Sequence, residues 1–181
     1  MLNIETIKLS DYLITPHKDA TKAYETSLEY NYQYTLNNYT KDTIQALQSL
    51  QPLYVIKNNK KLKFYNNWFM LNLALLNRIE NLVIISNNHI KKSGIEKASW
   101  MYLISQNLIS LNRQTNLSQF SKTLEKIPVD VRKTIFGDLH SYSPLATVQN
   151  LSRETREAIK HQFTKSRDKY TNVKSLLEQL M

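Results

Sequence analysis

The chain has no cysteine, and that single absence removes disulfides, zinc ribbons, thiol catalysis and thiolate-held iron–sulfur clusters together. It fits a reducing compartment. Only two glycines, Gly94 and Gly137, occur in 181 residues. Neither a Walker loop nor a dinucleotide fingerprint can be written with so few, because both need several glycines to bring backbone close to phosphate. The four histidines, His17, His89, His140 and His161, are scattered, and no pair has the spacing of a local metal site. No stretch approaches the roughly 18 apolar residues of a membrane span. The first residues carry Glu5 and Asp11 and lack a secretory pattern. A soluble, cytoplasmic protein without membrane contact is expected, and no metal, cofactor or catalytic residue is assigned.

What is present is apolar surface and positive charge. Hydrophobic residues make up 41% of the chain, with 11 Tyr and 5 Phe, enough to close a core. The net charge is +9, and it is unevenly spread. Residues 1–51 carry four basic and six acidic side chains, whereas residues 52–97 carry eight and two. The positive field is densest at Lys57, Lys60, Lys61 and Lys63, followed by Lys91, Lys92 and Lys97. Clustered lysines at a pI near 9.6 are the footprint of a polyanion binder, with double-stranded DNA the expected partner. The plainer alternative is a solvated lysine-rich hairpin.

Segment periods change along the chain. Ile4 to Leu9 predicts a strand ended by Ser10-Asp11, and Tyr30, Tyr32, Tyr34 and Leu36 alternate with polar residues as in a half-buried strand. Thr40 is placed to cap a helix whose Ile44, Leu47 and Leu50 share a face before Pro52 stops it. Residues 53–56 and 62–65 read as a hairpin around the turn-like Lys57-Asn58-Asn59-Lys60. Trp68 to Leu76 is apolar nearly all round and predicts a buried helix, with a buried strand at Leu82 to Ile85. After Gly94 the periods are helical: 98–111, 117–126, 129–138, 144–151 and 152–169. The expected class is α+β: a mixed-sheet domain over residues 1–90 and an all-helical domain over 91–181, with a hinge within 86–97.

Short strings in this order resemble the N-terminal domain of ParB-type partition proteins, within the ParB/sulfiredoxin-like fold. The opening Ile4 to His17, the run from Ile44 through Gln51-Pro52-Leu53 to Ile56, and the strand–turn–helix–strand from Lys63 to Ile85 look like that family's successive elements. Gln106-Asn107 and Asn112-Arg113 look like a stretched form of its Glu-Asn-x-x-Arg segment. The resemblance implies a DNA-associated protein of a plasmid, phage or integrated element. The family's signature turn, Gly-Glu-Arg-Arg or a relative, falls here on Asn66-Asn67-Trp68-Phe69. Trp and Phe offer phosphate no equivalent of the guanidinium fork, so a lost nucleotide pocket is expected. Asn66, Asn67, Trp68, Phe69, Gln106, Asn107 and Arg113 are then remnants of a degenerate motif. Sulfiredoxin chemistry needs a cysteine and is excluded.

Two further readings compete with a non-catalytic DNA binder. One is a DNase or nucleotide hydrolase of the same fold, but between residues 43 and 129 the acids are Glu80, Glu96 and Glu125, with no spacing that suggests a metal site. The other is a protein-binding inhibitor that kept the fold. Within the helical half, Arg132 and Lys133, the turn Ser141-Tyr142-Ser143 and the helix carrying Thr147, Gln149 and Asn150 outline a DNA-reading helix-turn-helix, with Arg153 and Arg156 behind it. A plain helical hairpin is the alternative there. Val173, Leu176, Leu177 and Leu180 form a final amphipathic stretch, read as core in preference to a homodimer seam.

Overall fold

The computed structural model describes residues 2–30, 40–109, 117–137, 141 and 143–152. The protein is mixed α+β, with a five-stranded mixed sheet and seven α-helices among the described residues. The strands are β1 (Asn3–Lys8), β2 (Leu13–Pro16), β3 (Leu53–Asn58), β4 (Lys61–Asn66) and β5 (Asn81–Ser86). They lie in the order β1-β5-β3-β4-β2, antiparallel at β1–β5 and β3–β4 and parallel at β3–β5 and β2–β4. The helices are α1 (Thr21–Leu28), α2 (Lys41–Leu50), α3 (Trp68–Leu76), α4 (Lys92–Ile109), α5 (Leu117–Lys126), α6 (Val129–Phe136) and α7 (Pro144–Ser152). Two compact units result, one containing residues 2–102 and the other residues 103–152, and the division between them falls within α4. Ile95 joins Ala20 and Tyr65 in one buried cluster, so the first half of α4 belongs to the sheet unit.

Local chemistry sets these elements. Thr40 caps α2 by accepting from the Thr43 N–H at 3.2 Å. The β3–β4 hairpin turns at Asn59, whose φ of 50° lies in the left-handed region that Asn tolerates better than most residues. Asn67, at φ 58°, makes the sharp entry to α3 and is fixed there by donating from Nδ2 to Pro52 O at 2.8 Å. Leu53, Val55, Leu62, Phe64, Leu82 and Ile84 are all fully buried in the sheet, with Ile44 of α2 and Leu71 of α3 buried to the same degree. Tyr24 of α1 meets Phe64 and Trp68 edge-on, at 4.9 and 5.8 Å between ring centres.

Polar side chains complete the sheet where backbone partners run out. β3 begins at Leu53, opposite Ile84, so the strand supplies no carbonyl for the Val83 N–H of β5. Gln48, fully buried, fills the gap: its Oε1 accepts from Val83 N–H and its Nε2 donates to Val83 O, both at 2.7 Å. A carboxamide carries the same donor and acceptor pair as a peptide group, so it can stand in for one residue of strand. Asn88 does the same at the far end, accepting from Lys57 N–H at 3.0 Å and donating to Lys57 O at 3.1 Å. The register shifts between Tyr54 and Val55, which leaves Tyr65 outside one-to-one pairing. The buried Ser99 hydroxyl lies 2.8 Å from its carbonyl.

Among the described residues no strand follows Ser86. The strand expected over Tyr30–Leu36 and the helix expected over 152–169 lie outside the described residues, apart from the buried Tyr30 and Ser152, the last residue of α7. β2 and α1 were not expected. β2 has four residues, too few to show a period. α1 buries Ala23, Thr26 and Ser27 with Tyr24, small and hydroxyl side chains that do not stand out as an apolar face.

Candidate nucleic-acid interface

The four hairpin lysines divide into two kinds. Lys57 Nζ donates to Glu5 Oε2 at 2.6 Å and stands 5.3 Å from the centre of the Tyr12 ring. The Glu5 hydrogen bond is the main cause of its raised pKa. Lys57 is therefore held within the fold by a carboxylate and a ring. Lys60, Lys61 and Lys63 are exposed, and among the described residues none of them has a carboxylate partner. Lys61 pairs with Leu13 and Lys63 with Thr15 across the β2–β4 ladder, so both project from the face that carries these β2 side chains. Lys18, Lys91 and Lys92, in the turn after β2 and at the start of α4, are exposed as well.

The positions that resemble a nucleotide turn are engaged in packing. Trp68 is 3% exposed, and its ring meets Tyr102 edge-on at 4.6 Å. Phe69, half-buried, donates its backbone N–H to the Tyr102 hydroxyl at 3.2 Å. Asn66 accepts from the Asn67 N–H at 2.8 Å. These contacts employ the first turn of α3, where a phosphate would otherwise meet free N–H groups. Gln106 is half-buried on α4, Asn107 lies on the same helix, and Arg113 is outside the described residues.

In the second unit the expected reading surface is partly absorbed by structure. Ser143 caps α7: its carbonyl accepts from Thr147 N–H at 2.9 Å and its hydroxyl from Ala146 N–H at 3.3 Å. Thr147 is 1% exposed and donates its hydroxyl to Ser143 O at 3.2 Å, which makes it a packing residue and not a base reader. Lys133, Ser141 and Ser143 are exposed, while Arg132 and Gln149 are half-buried. Asn150 lies on α7. Tyr142, Arg153 and Arg156 are outside the described residues.

Among the described residues no group of three His, Asp or Glu side chains converges as metal ligands would, and no helix is long and apolar enough to cross a membrane. Lys18 is presented by the turn after β2, a strand too short to show a period in the sequence. Its signal was the Pro16-His17-Lys18 string itself. Comparison with protein-family models, curated proteins and solved structures finds no match to this chain.

Proposed function

We propose that this chain is a cytoplasmic, non-catalytic binder of double-stranded DNA, built as a ParB-like α+β domain followed by a helical domain. The observation that carries this reading is the run of exposed lysines, Lys60, Lys61 and Lys63, that have no carboxylate partner among the described residues, on a hairpin where Lys57 is secured to Glu5. Lysines on a fixed strand pair act as point charges against the phosphate backbone, so they attract every duplex and release counterions on binding. The packing of Trp68 and the use of the Phe69 N–H by Tyr102 support a protein that works without nucleotide. Service to a plasmid, phage or integrated element follows from the family resemblance alone.

The test is fluorescence anisotropy on specific and random duplexes over a salt series, with Mg²⁺ and nicking scored in parallel. Lys60→Gln with Lys61→Gln should weaken binding to all duplexes about equally and lower the slope of log K against log salt by about 1 to 2. A wild-type protein that fails to bind duplex at low salt would overturn the reading. Mg²⁺-dependent cleavage would replace it with the nuclease.

A further inference from the structure

Lys18, Lys63 and Lys92 come from three elements, and each lies near enough to His17 to act on its charge. The buried cluster of Ala20, Tyr65 and Ile95 organises them. Lys18 lies two residues before Ala20 in the turn that follows β2. Lys63 is paired with Ile56, which packs against the same cluster. Lys92 lies one helical turn before Ile95, on the same side of α4. All three are exposed, and their backbones are tied to one buried anchor.

His17 stands among them. Its backbone N–H donates to Phe64 O at 2.7 Å, continuing the β2–β4 ladder by one residue. The side chain is only 12% exposed. Its Nδ1 accepts from the Asp19 N–H at 3.2 Å, so a neutral ring carries its proton on Nε2. Asp19 Oδ2 is 3.5 Å from the same Nδ1, buried and without a hydrogen-bond partner among the described residues. An acceptor is thus already in place for a second ring proton. Burial is the largest influence on the His17 pKa and lowers it; Asp19 opposes this, and Lys63 of β4, Lys18 of the turn and Lys92 of α4 lower it further.

We infer that Lys18, Lys63 and Lys92 form a clamp for one phosphodiester of the bound strand, and that His17 takes up a proton when the phosphate arrives. The inference rests on the DNA-binding reading and deepens it. The phosphate neutralises the field of the three ammonium groups, which removes one of the two costs of charging the ring. A proton from solvent then adds to Nδ1, which exchanges its bond from Asp19 N–H for one to Asp19 Oδ2. The same proton returns to solvent when the strand leaves. Linkage is reciprocal, so a protein already protonated at His17 binds the duplex more tightly.

Two measurements on the full chain test this. In the first, the imidazole resonances of His17 are titrated by NMR with and without saturating random-sequence duplex, and the His17 midpoint should move upward in the complex. In the second, duplex affinity is measured at constant ionic strength between about pH 8 and about pH 5.5, the range in which histidine titrates. It should tighten about fivefold, at the low end of ordinary coupling between sites. His17→Gln should lose most of that increment, and Lys18→Gln should shrink it. Should a variant fail to fold, the wild-type midpoint still decides. A duplex that binds while the His17 midpoint stays fixed would overturn the clamp and leave the DNA reading standing. No duplex binding at any pH would remove both.

Discussion

The sheet unit makes one kind of polar contact that reaches across the fold, and shares with the helices that follow it a second kind, the bond to a carbonyl four residues earlier that Thr26 and Ser49 make. In residues 2–102, Gln48 reaches Val83, Asn88 reaches Lys57, Ser99 reaches Tyr65, and the Tyr24 hydroxyl meets Asn72 at 3.3 Å, contacts between segments far apart in sequence. In residues 117–152, Thr123, Thr134 and Thr147 each donate to the carbonyl four residues earlier. The first kind of bond exists only in the finished fold and specifies it. The second exists in any helix and says nothing about what the helix packs on. Bonds of the first kind tie together the segments around the sheet, which is also where the candidate phosphate-binding lysines are positioned.

Three substitutions test that contrast, in decreasing order of effect. Trp68→Ala removes a buried indole packed edge-on against Tyr24 and Tyr102 and should cost about 3 to 5 kcal/mol in chemical denaturation, a large share of a typical domain's stability. A variant that melts like the parent would make Trp68 a surface residue after all. Gln48→Leu keeps the volume but leaves the Val83 N–H and C=O without their side-chain partners. The Val83 N–H is then unpaired, and at about 1 to 3 kcal/mol for an unpaired buried group a loss of about 1 to 3 kcal/mol is expected. Thr134→Ala deletes one local bond on an exposed helical position, and a change within about 0.5 kcal/mol of zero is expected. Equal losses at Gln48 and Thr134 would erase the distinction between the two regions.

The same contrast explains what was legible in the sequence. The turn-like Lys57-Asn58-Asn59-Lys60 between two short apolar segments, the Thr40 cap and the all-apolar run from Trp68 to Leu76 are local signals, and the hairpin, α2 and α3 stand where those signals put them. Non-local facts were silent. Lys57 looks like any other member of a basic run until folding brings Glu5 to within 2.6 Å of it. Thr147 looks like a reader at the front of a helix, a position equally suited to burial, and it is the packing beneath α7 that decides. Lys18 and Lys92 share no pattern in the sequence, and it is the folded chain that brings both, with Lys63, to act on His17.

The strand order also carries a clock. β1 pairs with β5, Lys8 opposite Asn81 and Asn3 opposite Ser86, so the first strand made has its partner only after the last strand has been made. On a ribosome, the β3–β4 hairpin can close as soon as it emerges, while the N-terminal segment must wait with Ile4 and Ile7 unpaired. Pairing so distant in sequence is slow in general beside the closing of a hairpin, and an apolar strand that waits for its partner is open to chaperones or to misassociation in that interval.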